Sequence, residues 1–203
     1  MRLDRYGWDH SGPTCAHGYV VPKLLSLVPK DVRRAVDIGC GNGYVAGVLA
    51  SRGIEVIGVE PSSDGIERAR VAHPGIRFEQ GSVDSDLVAL VGGTVDLVVA
   101  TEVIEHLVEP RKLLRAGYAL LRSGGRMVIT TPYHGYVKNL ALSIAGAWDR
   151  HFTADWDGGH IKFFSPATLR KMILECGYAT VKFEYAGRAP WLWKSMIAVA
   201  SKA

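Results

Sequence analysis

The chain has 203 residues, 48% hydrophobic and 22% charged, enough to bury one full core without disulfides or structural metals. Its net charge of +4 is scattered, and the densest basic pairs, Arg33-Arg34 and Arg111-Lys112, are too short for a nucleic-acid-binding stripe. Three well-separated cysteines (Cys15, Cys40, Cys176), with no Cys-x-x-Cys pair, argue against a disulfide framework or a thiolate zinc site and for a reducing compartment. The polar start, MRLDRYGWDHSGP, lacks the apolar core of a signal peptide, and no run approaches the roughly 20 apolar residues of a spanning helix. A cytoplasmic protein is expected.

In chain order, residues 20–29 (VVPKLLSLVP) carry apolar positions at helical spacing, with Pro22 tolerable in a first turn. Strand and helix patterns then alternate. RRAVDIG (33–39) reads as a strand, YVAGVLASRG (44–53) as a helix ending at Gly53, and IEVIGVE (54–60) as a strand. PSSDGIERARVAH (61–73) reads as a helix capped by Ser62 or Ser63, GIRFEQ (75–80) as a short strand and SDLVALV (85–91) as a short helix. TVDLVVA (94–100) is a strand, EPRKLLRAGYALLRSGG (109–125) a helix closed by glycines, and RMVITTP (126–132) a strand. After Pro132 the rhythm breaks into an aromatic, His- and Gly-rich stretch. A helix (165–177) with Ser165 as cap and Pro166 at its first position follows, and strands over 178–187 and 191–201 close the chain.

The first five strands are apolar nearly throughout, as expected where helices cover both faces of a sheet. The expected fold is therefore α/β: a doubly wound, mostly parallel seven-stranded sheet with helices on both faces and right-handed crossovers. It is read as one domain over 1–203, with an N-terminal helical cap over 1–30 and a lid insertion over 133–162, after the fifth strand.

Ligands of open α/β sheets bind beyond the carboxyl ends of the strands. The first such end is VDIGCGNG, with Gly39, Gly41 and Gly43 spaced without the third glycine of a dinucleotide fingerprint. Glu60 ends the second strand at the distance where a carboxylate meets ribose hydroxyls. A ligand with a ribose but no phosphate suits this combination.

Taken in order, VDIGCGNG, GVEPS, QGSV, VDLVVATEVIEHL and LRSGGRMVITTP resemble the motifs of class I S-adenosylmethionine-dependent methyltransferases, over about residues 33–185. The resemblance implies a Rossmann-like methyltransferase fold and S-adenosylmethionine as cofactor. It implies that Gly39, Gly41 and Gly43 let the backbone approach the methionine part and ribose, with Asp37 behind the loop, orienting it. Glu60 would accept bonds from both ribose hydroxyls, and Val83 would donate its amide to the adenine ring. Ser82 stands where the family usually has Asp, and its hydroxyl can still accept from the adenine amine. Cys40, Pro61 and Thr101 complete the expected cofactor set.

TEVIEHL (101–107) follows the fourth strand and, if helical, would present Glu102, Glu105 and His106 on one face. Three readings stay open. The carboxylates offset the positive end of a helix dipole; or His106 is a general base oriented by Glu105 or Glu102; or Glu102, Glu105, His106 and His160 of WDGGHIKFF hold a divalent ion (Mg, Mn or Zn). The Glu-x-x-Glu-His segment resembles that of ubiquinone-biosynthesis O-methyltransferases, where it is associated with a divalent ion. It is also similar to that of small-RNA 3′-terminal 2′-O-methyltransferases.

In the insertion, Trp148, His151, Trp156 and His160 are expected near the acceptor, with His17 and Tyr19 completing the pocket. LALSIAGAW is expected to pack as lid rather than to hold a membrane surface. The leading functional expectation is methyl transfer to a small-molecule acceptor, at oxygen. Alternatives are an RNA 2′-O-methyltransferase with a metal site, against which the missing basic stripe counts, and a non-catalytic cofactor-binding partner subunit. Acceptor identity and oligomeric state are not legible.

Overall fold

A computed structural model describes residues 8, 10, 12–152 and 158–203, the side chains of 150 and 151 excepted. The strands are β1 (Arg34–Ile38), β2 (Glu55–Glu60), β3 (Arg77–Gln80), β4 (Val95–Thr101), β5 (Leu121–Pro132), β6 (Thr180–Gly187) and β7 (Trp193–Ser201). They form one sheet in the order β3-β2-β1-β4-β5-β7-β6. The first five strands run parallel; β7 is antiparallel to both β5 and β6. The helices are α1 (His17–Leu27), α2 (Tyr44–Ala50), α3 (Ser63–Ala72), α4 (Leu87–Val91), α5 (Pro110–Leu120), α6 (Tyr136–Ile144), α7 (Trp148–Phe152) and α8 (Pro166–Glu175). None of them is long and apolar enough to cross a membrane.

Continuous apolar strands resolve into two cores because successive side chains point to opposite faces. Val36, Ile38, Val98 and Ala100 join one core with Leu113, Leu114, Leu169 and Ile173 from α5 and α8. Ala35, Leu97 and Val99 join the other with Leu24, Leu49 and Ile66 from α1, α2 and α3. Strand order reverses between β1 and β4, so a crevice opens beyond their carboxyl ends.

Local expectations hold at α8, where Ser165 accepts from the Thr168 amide and the Thr168 hydroxyl accepts from Ser165, a reciprocal capping box with Pro166 next in line. Three expectations change. Pro22 lies inside α1 rather than in its first turn. Ser62 occupies the N-cap position of α3, but its hydroxyl makes no capping bond. Arg122 to Gly125 belong to the lead-in of β5, not to the end of α5, which stops at Leu120.

Candidate active site

A cleft of about 1000 Å³ lies over the carboxyl ends of β1, β2, β4, β5 and the start of β7. Its first wall is the turn after β1. Gly39 has φ +73°, and a Cβ there would lie 2.6 Å from the Val103 side chain; Gly41 has φ +51°, and its Cβ would lie 2.2 Å from the Trp8 ring. Both positions therefore need glycine for conformation and for space. The Gly41 amide donates to Glu60 Oε2 (3.0 Å), and the Ser62 amide to Glu60 Oε1 (3.1 Å), so one carboxylate ties the glycine turn to the end of β2. Burial raises the Glu60 pKa, and these donors hold it back.

Asp37 sits behind the loop, 1% exposed, and its oxygens make no hydrogen bond among the described residues. Burial, then the Glu60 charge, push its pKa to about 7. Of the expected cofactor residues, Asp37, Gly39, Cys40, Glu60, Pro61, Ser82, Val83 and Thr101 line the cleft. Gly41 and Gly43 shape the turn without lining it, Gly43 as N-cap of α2. The Ser82 hydroxyl already accepts from the Asp84 amide (3.1 Å).

TEVIEHL is not the start of a helix. Ile104–His106 is a single 3-10 turn, and Glu102 before it adopts φ 54°, the left-handed region that side chains other than glycine rarely occupy. Thr130 of β5 holds this conformation. Its hydroxyl accepts from the Glu102 amide (3.0 Å) and donates to Glu102 Oε1 (2.7 Å). The i, i+3, i+4 face therefore does not form. Glu102 is drawn towards β5, while Glu105 is fully buried with both carboxylate oxygens unbonded among the described residues. Burial raises both carboxyl pKa values, and Glu102 further raises that of Glu105.

A second segment docks on this turn. The amides of Ile161 and Lys162 both donate to the Glu105 carbonyl (3.0 Å each), which fixes His160 beside the turn. His160 Nε2 lies 4.0 Å from Glu105 Oε1, and the His106 and His160 rings meet edge-on at 4.9 Å. His106 Nδ1 is 3.2 Å from the Gly159 carbonyl; donating there leaves Nε2 with its lone pair. Glu105, His106 and His160 each offer a ligand atom within 4.8 Å of the others. Bonds of roughly 2.1 Å to one ion would place such atoms about 3–4 Å apart, so three of the four expected ligands are close to a metal-binding arrangement. Glu102, the fourth, is outside the group.

The remaining wall comes from α1, α6 and the start of β7. His17 and Tyr19 line it as expected; His17 stacks on Tyr44 (4.9 Å), and burial lowers its pKa to about 4, keeping it neutral. Trp148 does not reach the cleft wall: its ring stacks on Phe152 (4.7 Å) and its Nε1 donates to Ser143 (3.1 Å). Trp156 and the side chain of His151 lie outside the described residues. One face of α6 lines the cleft through Lys138, Ala141 and Leu142. Its other face leaves Tyr136 81% and Ile144 80% exposed, and none of the helix's residues is fully buried.

Sequence reading missed Trp8, His134, Lys138, Lys194 and Ser195, which also line the cleft. Only Lys194 carried a signal, an isolated charge where an otherwise apolar strand begins.

A methyltransferase domain family matches residues 16–182. Over 210 aligned residues the chain is 27% identical to a ubiquinone biosynthesis O-methyltransferase of Ruegeria sp., covering 92% of this chain and 83% of that one. It is 31% identical over 160 residues to the protein of the same name from Azorhizobium caulinodans, covering 75% and 61%. Among solved structures, an S-adenosylmethionine-dependent methyltransferase from Thermotoga maritima superposes with a TM-score of 0.68 at 20% identity, over 93% of this chain and 89% of that one. Magnesium protoporphyrin IX methyltransferase from Synechocystis, solved with S-adenosylhomocysteine, gives 0.66 at 19% identity, over 91% and 80%. The structural likeness carries the fold, and the domain match carries the family: this chain belongs to the methyltransferase domain family and is an S-adenosylmethionine-dependent methyltransferase.

Proposed function

We propose that the chain methylates a hydroxyl of a small-molecule acceptor, with a divalent ion held by Glu105, His106 and His160. The observation that carries the metal is Glu105: a fully buried carboxylate with no hydrogen bond among the described residues, facing two imidazoles. Such a group is costly to bury unless a cation or a proton compensates it. The oxygen acceptor is supported by the relatives named ubiquinone biosynthesis O-methyltransferase.

In this reading Glu60 accepts from the ribose hydroxyls, Val83 donates to the adenine ring, and Gly39 and Gly41 admit the methionine part. S-adenosylmethionine supplies the electrophilic methyl group. Much of the acceleration comes from holding the acceptor oxygen about 3 Å from that carbon and in line with its bond to sulfur. A divalent ion would lower the hydroxyl's pKa and offset its developing charge. The Gly159 carbonyl orients His106, and Nε2 then serves either as ligand or as base, not both, since a coordinated lone pair cannot take the proton. Lys138 and Leu142 of α6 border the acceptor side of the cleft, and the Ile161 and Lys162 amides pin the segment carrying His160 to the Glu105 carbonyl.

The test is turnover of catechol acceptors by the whole chain, with and without chelator and with Mg, Mn or Zn restored, alongside calorimetric metal titration. Glu105→Gln and His160→Ala should each weaken metal binding by at least roughly 10- to 100-fold, the loss that even a partner behind a ligand carries. Turnover indifferent to chelator, and metal binding unaltered in both variants, would refute the metal site. No transfer to any hydroxyl acceptor would refute the O-methyltransferase reading.

A further inference from the structure

We propose that the acceptor carries an anionic group, a carboxylate or a phosphate, received by Lys138 and Lys194 on the β5–β7 side of the cleft. The inference rests on the proposed function and names the acceptor class that this wall would select.

Three cations line this part of the cleft: Lys138 of α6, Lys194 of β7 and Arg188 at the rim. Among the described residues none of the three forms an ion pair with a carboxylate, whereas Lys23, Lys112 and Arg122 do. Lys138 is half-buried, and its Nζ donates to the Tyr133 carbonyl (2.8 Å). The Lys194 ammonium stands over the Tyr19 ring, 4.8 Å from its centroid. Both are thus held by neutral groups, a carbonyl and a π face, which orient a cation without cancelling its charge.

Glu102 is the acid whose charge acts on Lys138, and among the described residues it forms no ion pair with either lysine. Glu102 lines the same wall, but its carboxylate takes the Thr130 hydroxyl, and burial favours its uncharged form. Burial lowers the Lys138 pKa, Glu102 acts to raise it, and the like charge of Lys194 lowers it again. An ammonium partly removed from water beside a second ammonium is an arrangement that an incoming anion stabilises. A compact, rotatable ammonium serves a carboxylate or a phosphate equally.

The cofactor's own carboxylate does not account for this wall. β7 stands three strands from β1 in the sheet order. At about 4.8 Å per strand, that sets the Lys194 strand roughly 14 Å from the one bearing the glycine turn. The intervening ends of β4 and β5 carry Glu102 and Thr130, where an acceptor would lie.

The test titrates the whole chain, saturated with S-adenosylhomocysteine, with 3,4-dihydroxybenzoate, 3,4-dihydroxybenzyl phosphate and the neutral methyl 3,4-dihydroxybenzoate. At least one of the two anions should bind about 10- to 100-fold more tightly than the ester, the range for a hydrogen bond to a charged group. Whichever anion gains more identifies the group. Lys138→Gln combined with Lys194→Gln should cost that anion at least tenfold more than the ester, and added salt should shrink the preference. In turnover, the same loss should fall on KM rather than kcat. Equal binding of anions and ester, a preference that survives the double variant, or no binding of any of the three would overturn the proposal. Anion preference in binding without methylation of any catechol would support this site and count against O-methylation alone.

Discussion

Glu60 is the residue on which the cofactor reading turns, and it can be tested by removing its charge and then its side chain. Each carboxylate oxygen already accepts one amide, from Gly41 at 3.0 Å and from Ser62 at 3.1 Å, and the group borders the cleft. If it also accepts both ribose hydroxyls, two charge-assisted bonds of about 1.5–3 kcal/mol each are at stake, less what water returns to the free protein. A net loss of about 3 kcal/mol raises Kd roughly 100-fold. Glu60→Gln should restore little of what Glu60→Ala loses, because a carboxamide turns one N–H pair towards an amide that also donates. Calorimetry with S-adenosylhomocysteine and its 2′,3′-dideoxyribose analogue separates recognition from loop support: the natural enzyme should prefer the ribose form, and the variants should not. Affinity should also fall with pH through the raised pKa of this carboxyl, since the acceptor is the ionised form. Glu60→Ala binding S-adenosylhomocysteine within threefold of the natural chain, or keeping the ribose preference, would refute the assignment.

Three further outcomes are expected. Asp37 has its pKa raised from 3.8 to about 7, so the native state binds its proton more tightly and stability falls as pH rises through that window. The loss is up to about 4 kcal/mol, and Asp37→Asn should flatten it in urea melts at pH 4, 5.5 and 8; an unchanged slope would show another group responsible. Ser165→Ala breaks the reciprocal cap of α8 and should cost about 1 kcal/mol, read as a melting-point drop of roughly 2–4 °C. Metal supplied to the chelated natural chain should raise its melting temperature, and should raise it less in Glu105→Gln, because an ion that binds only the folded state stabilises it by mass action.

The sheet was legible because its signals are local. Largely apolar runs, separated by helical periodicity, specify strands covered on both faces, and β1, β2, β4, β5 and β7 lie where those runs fall, while the edge strands β3 and β6 are more polar and only partly buried. The glycine turn was legible for the same reason: Gly39 and Gly41 mark left-handed backbone that residues with a side chain rarely adopt. The acidic turn was only half legible. Its composition drew attention to Glu105 and His106, and a shared helix face was the natural inference, but the backbone at Glu102 depends on Thr130, 28 residues further on. Trp148 misled because an aromatic in an insertion reads the same whether it faces a ligand or a neighbour such as Phe152. Lys138 gave no periodic signal at all; its place in the cleft follows from how α6 leaves β5.

That long-range bond also explains how two carboxylates three positions apart come to face different tasks. A non-glycine residue at φ 54° carries strain of roughly 1–3 kcal/mol and persists only where its surroundings over-determine it. Here they do: the Glu102 amide bonds both the carbonyl and the hydroxyl of Thr130, and the same hydroxyl returns to the Glu102 carboxylate. The left-handed residue turns the chain sharply at the end of β4, so the next residues form a 3-10 turn and drop Glu105 under the segment carrying His160. In a regular helix the two acids would share a face and repel. The strained turn instead puts Glu102 on the wall that holds Lys138 and Lys194, and Glu105 beside the imidazole pair, so that an acceptor seated as proposed at the end of β4 would meet both.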